Sequence, residues 1–212
     1  MASEIDICNI ALSHLGDTAT VSSIDPPEGS AQAELCARFY PVARDSLLEM
    51  HPWGFSVRRA QLALLSSSVS SWSYCYAVPA DAINLIAVLS SDATNDYSTA
   101  SPLGIGQYTP QPFVNETDDS GASVIYTNQD DAVLRYAALV TDTTKFSPLF
   151  VNALSWHLAS FLAGPILKGD VGAAESKRCT QMMMNFLSAA QESDAAQRRV
   201  TVAHNVPWIA GR

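Results

Sequence analysis

The segment FSPLFVNALSWHLASFLAGPIL, from Phe146 to Leu167, is the most apolar stretch of the chain. Its large side chains recur at helical spacing and cover both sides of the predicted helix, at Phe150, Leu154, Trp156, His157, Leu158, Phe161 and Leu162. A helix that is apolar nearly all round is buried, so we predict that this segment is the central helix of a core. Ser147 and Pro148 supply a start signal, an N-cap followed by proline in the first turn.

A membrane span is the alternative interpretation of this segment, because a span needs about 20 mostly apolar residues. Polar side chains interrupt the run, at Asn152, Ser155, His157 and Ser160. Pro165 and Lys168 then close it. These residues favour the core helix over the span.

The composition narrows the class of protein. The chain has 212 residues, of which 48% are hydrophobic and 16% charged, and its net charge is −9. A chain of this length can bury a full core without a metal or disulfide staple. The acidic balance argues against a general nucleic-acid binder, which needs clustered Lys and Arg. The first residues, MASEID, are acidic where a signal peptide would be basic, so we expect synthesis in the cytoplasm.

The four cysteines, Cys8, Cys36, Cys75 and Cys179, are far apart in the sequence and form no CxxC pair. Zinc ligands usually occur in such pairs. Three of the four fall on apolar helical faces, where a free cysteine packs as a small hydrophobe. We therefore predict reduced core thiols and no metal site.

Three further helices are indicated by caps and apolar periodicity. Ser3 with Asp6 predicts the start of a first helix that ends near Gly16. A second is predicted from about residue 30 to 49, with a kink or a break at Pro41. A last helix is predicted from about residue 171 to 192, rich in Met and Ala.

The middle of the chain alternates with the period of a strand. Strands are predicted near residues 60–64, 72–78 and 82–89. The segments SVIYT and AVLRYAALV bracket the polar turn NQDD and predict a hairpin. The residues between these groups contain several prolines and glycines, so 92–119 is predicted to be a long loop.

No sequence motif points to catalysis. The four histidines, His14, His51, His157 and His204, lie in different regions, and GxSxG, HExxH and phosphate-binding glycine motifs do not occur. A single histidine on a buried helix is usually a satisfied core residue. We expect no enzyme, no cofactor and no metal.

The predicted fold class is α+β: mainly an α-helical bundle with an inserted small antiparallel β-sheet subdomain and an extended C-terminal tail. The bundle is assigned to residues 1–52 and 146–193, and the β-rich subdomain to residues 53–145 with its loop at 92–119. The tail is residues 194–212.

A series of short motifs resembles the tailed-phage tail tubular protein A family, the head–tail adaptors or gatekeepers. The motifs are Ile7 to Leu12, Leu15-Gly16, Ala33 to Cys36, Phe39 to Pro41, Arg44-Asp45, Leu47-Leu48, His51 to Phe55, Arg58 to Leu62, Tyr76, Pro79 to Asp81, Phe150-Val151, Ala153-Leu154 and Leu158-Ala159. The resemblance extends to about Glu192, and the order of the motifs carries it.

This resemblance implies a structural virion protein that forms a ring, dodecameric in the family, between the portal protein and the next tail protein, a nozzle or tail tube. DNA would pass through the channel without sequence-specific binding. The protein would lie at the head–tail junction of the virion, and in the host cytoplasm during assembly. The negative charge fits a channel wall along which DNA slides.

Candidate site residues follow from the aromatic and basic positions. Trp53 and Phe55 are predicted to anchor the end of the second helix against the sheet. Arg58 and Arg59 are candidates for a subunit interface, with a solvated strand face as the alternative. Candidate portal-binding residues lie in the tail, at Arg198, Arg199, Val206, Pro207, Trp208 and Ile209.

Two other functional classes stay open at this point. One is a non-catalytic protein-binding or assembly module, for which a stable monomer with an ordered tail would speak. The other is a hydrolase, for which a cleft joining His51 or His157 to a carboxylate and a nucleophile would speak.

Overall fold

The computed structural model describes residues 2–65, 71–91 and 110–197 and divides them into two compact units. Of the described residues, the helical unit comprises 2–56 and 139–197, and the β unit comprises those within 57–138. Helices account for 47% of the structure, beside two small antiparallel sheets, so the predicted α+β class is confirmed. The sequence boundaries were drawn at 52/53 and 145/146, whereas the division falls at 56/57 and 138/139.

The helical unit contains four α-helices. They are α1 (Glu4–His14), α2 (Ala31–Met50), α3 (Pro148–Leu167) and α4 (Gly169–Ala196), with a short 3₁₀ helix at Thr143–Lys145. Local capping explains the starts. The Ser3 hydroxyl accepts from Asp6 N at 3.1 Å, and the Asp6 carboxylate accepts from Ser3 N at 2.9 Å. At the starts of α2 and α3, the hydroxyls of Ser30 and Ser147 accept from the backbone N–H groups of Ala33 and Phe150. Helix α2 is a single helix that contains Pro41.

Helix α3 is the core helix of this unit. Nine of its residues are buried, including Phe150, Leu154, Leu158 and Leu162. Its length and mean hydropathy of 1.3 would also suit a membrane span, but half of its most apolar window is buried inside the structure. That burial is the behaviour of a core helix.

Helix α4 packs along α3 at close range. A Cβ atom on Gly172 would lie 2.9 Å from the carbonyl oxygen of Ala163, so a larger residue would push the two helices apart. The helix is longer than predicted and includes Asp194, Ala195 and Ala196. The prediction that the tail begins at residue 194 is therefore wrong, because these residues still make helical hydrogen bonds and Asp194 is buried.

Within residues 57–65, 71–91 and 110–138, the β unit has seven strands in two antiparallel sheets. They are β1 (Val57–Gln61), β2 (Ala63–Leu64), β3 (Tyr74–Ala77), β4 (Ala82–Leu89), β5 (Phe113–Thr117), β6 (Ser123–Thr127) and β7 (Val133–Ala138). One sheet has the order β1-β7-β4 and the other β2-β3-β6-β5. Side chains from both sheets share one apolar cluster, formed by Leu62, Tyr76, Val88, Ile125, Ala132, Leu134, Tyr136 and Ala138.

Two predictions for this unit are wrong. β6 and β7 do not form a hairpin, because β6 pairs with β3 and β5 while β7 pairs with β1 and β4. Residues 92–119 are not all loop, since Phe113–Thr117 is strand β5. The turn after β5 explains the pairing: Asp118 Oδ1 accepts from Ser120 N and Ala122 N, and Gly121 has a φ of 84°. Residues 92–109 of the predicted loop lie outside the described residues.

All four cysteines, Cys8, Cys36, Cys75 and Cys179, are buried and form no disulfide among the described residues, as predicted. Cys8 on α1 and Cys36 on α2 are fully buried in the helical unit, and Cys75 lies in the β unit. Each acts as a small apolar side chain in its core.

Candidate functional site

The turn after α2 is built around Trp53, which is 1% exposed. Its indole Nε1 donates to the carbonyl oxygen of Leu47 at 2.8 Å, so the ring covers the last turn of α2. Trp53 and Phe55 both contact Phe150 of α3 edge-on, at 5.0 and 5.2 Å between ring centroids. Phe55 also contacts Phe146. These rings join the end of α2 to the start of α3. The sequence had instead predicted that they contact the sheet.

Asp194 holds the same turn from the far end of α4. Its Oδ1 accepts from Gly54 N at 2.8 Å, and its Oδ2 lies 3.1 Å from His51 Nε2. A Cβ atom at Gly54 would lie 3.0 Å from the carboxylate, so glycine allows this close approach. The point from which residues 198–212 continue is therefore attached to the core of the helical unit.

The predicted interface residues lie in the β unit, on β1. Arg58 Nη1 donates to Asp81 Oδ2 at 2.6 Å, and the hydroxyl of Tyr136 donates to Asp81 Oδ1 at 3.0 Å. Arg58 thus has a partner in its own chain and remains about half exposed. Arg59 lies beside it and pairs in register with Arg135 of β7.

The candidate portal-binding residues all lie outside the described residues. They are Arg198, Arg199, Val206, Pro207, Trp208 and Ile209. Their role stays a prediction.

A hydrolase would need a histidine placed to take a proton from a nucleophile, and His157 contacts the hydroxyl of Ser46. Nε2 of His157 lies 2.9 Å from Ser46 Oγ, but that hydroxyl also donates to the carbonyl oxygen of Ala43. When the single hydrogen of this hydroxyl is donated to Ala43, the hydroxyl accepts from His157 Nε2, and the imidazole is then not placed to take its proton. Nδ1 of His157 is buried without a partner in the described part of the chain, and burial lowers the pKa of this histidine. Among the described residues, no hydrogen-bonding group orients the ring through Nδ1 as a catalytic base requires.

His14 and His51 are likewise held by structural contacts. His14 stacks on Trp156 at 3.6 Å between centroids, and its Nε2 lies 3.1 Å from Ser155 Oγ. Arg178 lies over the same indole at 5.3 Å and donates to the carbonyl oxygen of His14. Burial, with a smaller effect from Arg178, lowers the pKa of His14. These contacts join α1, α3 and α4.

A cleft of about 450 Å³ opens in the helical unit, and we call it the Tyr40 cleft. It is lined by Glu4, Ile24, Asp25, Pro27, Ala37, Tyr40, Pro41, Arg44 and Thr141. Residues Ala37, Tyr40, Pro41 and Arg44 form one face of α2, at helical spacing. A shallower hollow continues from it past Ser3 and Asp142 and shares Glu4 and Asp25.

The loop that forms the outer wall of the Tyr40 cleft is held by a side chain of α1. The amide of Asn9 donates to Val21 O at 3.0 Å and accepts from Val21 N at 2.8 Å, as a neighbouring strand would. Gln32 of α2 donates to Asp17 Oδ2 at 3.2 Å. The cleft therefore has a fixed wall.

In the Tyr40 cleft, Arg44 pairs more closely with Asp45 than with Glu4. Arg44 is 8% exposed, and its Nε donates to Asp45 Oδ1 at 2.8 Å, whereas Glu4 Oε1 is 3.9 Å from its Nη1. The Tyr40 side chain is 1% exposed, and its hydroxyl has no hydrogen-bond partner among the described residues. Burial, reinforced by the Glu4 carboxylate, raises the pKa of Tyr40 above its ordinary value, so the hydroxyl stays neutral.

The Tyr40 cleft has the features of a binding surface. The Tyr40 cleft has carboxylates at its rim, a neutral hydroxyl in its wall and apolar surface from Ile24, Pro27 and Pro41. In the described ranges, no three or more His, Cys, Asp or Glu side chains are placed to hold a metal ion. A protein or peptide surface with a cationic and an apolar group would fit these features.

This cleft could not be predicted from the sequence, because its residues come from four separate parts of the chain. The part that the sequence does display is the face of α2 at i, i+3, i+4 and i+7, where Tyr40 and Arg44 lie beside Ala37 and Pro41. A buried arginine and a buried tyrosine on one helical face indicate a polar contact that the helix alone cannot supply.

No protein-family model matches this chain, and a comparison with curated proteins gives no match.

Proposed function

We propose that this protein is a structural virion protein of a tailed phage, a head-to-tail adaptor. Copies form a ring between the portal and the tail and line the channel through which DNA leaves. The observation that carries the proposal is the ordered series of motifs that resembles the gatekeeper family, from Ile7 to about Glu192.

The positions of these motifs in the structure support the proposal. Ile7, Leu12, Leu47 and Leu48 are fully buried in the helical unit. The HPWGF motif forms the turn around Trp53 that joins α2, α3 and α4. A resemblance confined to exposed residues could arise from composition alone, whereas these residues determine how the helices meet.

The finer architecture belongs to the same proposal. The helical unit is the bundle that forms the body of the ring, and the β unit is the inserted subdomain that extends from it. Residues 198–212, which lie outside the described residues, are the proposed docking tail. The net charge of −9 keeps the DNA phosphates from adhering to the channel wall.

The tail is proposed to dock on the portal. It combines Arg198 and Arg199 with the apolar segment Val206 to Ile209, in a chain that is otherwise acidic. An extended segment of this kind can pair its backbone with a partner's groove and bury alternate side chains there. Basic residues next to it would orient the tail on an acidic partner surface.

A truncation after Gln197 tests the docking arm. It leaves Asp194 and its contacts with His51 and Gly54 intact, which a cut after Glu192 would not. We expect unchanged stability in urea and a large loss of affinity for the portal. Trp208→Ala in the full chain should cost about 2 kcal/mol or more of binding, and His204→Ala, a polar tail control, little.

Two outcomes would contradict the docking arm. If the truncated protein binds the portal as well as the full chain does, the tail is not the docking element. If the truncation instead lowers the unfolding midpoint, the tail stabilises its own body. A stable monomer with no affinity for the portal would favour the alternative, a non-catalytic assembly module.

A further inference from the structure

The Tyr40 cleft carries more negative than positive charge. Arg44 pairs with Asp45 at 2.8 Å and more distantly with Glu4 at 3.9 Å, and Asp25 adds a further carboxylate at the rim. Asp25 is exposed and has no ion pair in residues 2–65, 71–91 and 110–197. The buried hydroxyl of Tyr40 has no partner there either. A buried polar group without a partner is costly.

A matching surface lies on α4. Lys177, Gln181 and Met184, which we call the α4 stripe, are all exposed and follow one another at i, i+4 and i+7. Met184 is 54% exposed, a large fraction for an apolar side chain. Lys177 forms no ion pair in the described part of the chain. The α4 stripe also lines a shallow depression of about 360 Å³.

The two surfaces lie on different sides of the helical unit. Helices α1 and α2 pack on α3, as does α4, and α2 makes little contact with α4. The Tyr40 cleft belongs to α1, α2 and the segments beside them, and the α4 stripe belongs to α4 alone. Two different, complementary surfaces on one subunit make a heterologous contact, which generates a ring when the rotation closes.

We propose that the Tyr40 cleft of one copy receives Lys177 and Met184 of the next copy. The ammonium group of Lys177 lies between the carboxylates of Glu4 and Asp25. The flexible Met184 covers the apolar wall formed by Ile24 and Pro41. This inference rests on the proposed ring and names the subunit contact within it.

Charge exchange tests this contact in assemblies on the portal. Lys177→Glu and Asp25→Lys should each weaken ring formation by about tenfold or more, because each places like charges together. The double variant restores opposite charges at the same contact and should recover most of the assembly. Lys168→Glu makes the same charge change at another exposed lysine and should assemble as the wild type does. Unfolding in urea shows whether each variant folds.

A photo-crosslinking residue at position 177 gives an independent readout. It should join to peptides that contain residues 24–44 of another copy. If the wild type forms a ring, yet Lys177→Glu assembles normally or the crosslinks map elsewhere, the cleft contact is wrong and the ring stands. If the wild type forms no ring on the portal, the proposed function and this contact both fail.

Discussion

Asp194 lies near the end of α4, and its carboxylate accepts a hydrogen bond from the backbone N–H of Gly54. The sequence around it is polar, so it was assigned to the tail, yet the side chain is 8% exposed and holds the turn after α2. Sequence periodicity cannot reveal a contact with Gly54, 140 residues away in the chain. By contrast, Trp53 and Phe55 could be predicted as structural anchors, because large aromatics next to a helix end are usually buried.

Replacing Asp194 tests this attachment. Asp194→Ala leaves the amide of Gly54 without its acceptor, and we expect a loss of about 2 kcal/mol in the free energy of unfolding. Asp194→Asn keeps one acceptor oxygen and should lose less. Glu192→Ala, at an exposed position on the same helix, is the control and should stay within about 0.5 kcal/mol. Urea denaturation measures all three, and equal midpoints for Asp194→Ala and the control would contradict the assignment.

The buried histidines predict how stability depends on pH. Burial lowers the pKa values of His14 and His157 in the folded state below the ordinary value of 6.5. The unfolded chain therefore binds protons first, so stability is fully present above pH 6.5 and falls as the pH drops below it. The decline should begin before the carboxylates titrate, between pH 6.5 and about pH 5.

The variant His157→Gln isolates one of these two groups. It cannot be protonated in this range, so its unfolding free energy should decline less steeply with falling pH than that of the wild type. Thermal or urea unfolding at several pH values measures the slope. Identical slopes would show that His157 does not contribute.

At the scale of elements, the helices were predictable and the strand pairing was not. Helix starts depend on local groups, such as the Ser3–Asp6 capping box and the Ser147-Pro148 pair, which the sequence displays directly. Strand partners are distant in the chain. β6 is followed closely by β7, but each strand pairs in a different sheet, which no local pattern indicates.

The corner between α3 and α4 contains a strained residue. Lys168 has φ 56° and ψ 165°, a conformation that is almost restricted to glycine. Lys168→Gly should therefore stabilise the protein by about 1 kcal/mol. Lys177→Gly, the same substitution inside α4, should destabilise it by about 1 kcal/mol. If Lys168→Gly lowers the free energy of unfolding in urea denaturation, the backbone of Lys168 is not strained.

At the scale of the molecule, the sequence predicted a helical part and a β-rich part but not the surfaces on them. The Tyr40 cleft combines residues as distant as Glu4 and Thr141, so only the folded chain brings them together. The candidate tail residues could be proposed from sequence because apolar side chains next to arginines are unusual in an acidic chain. We propose that both features serve contacts in an assembly.

Electron microscopy of the full chain mixed with the portal protein would show directly whether the copies form a ring. We expect a closed ring of copies, coaxial with the portal, with the helical units side by side and an open channel along the axis. A single bound copy, a complex off the portal axis, or no complex at all would contradict it.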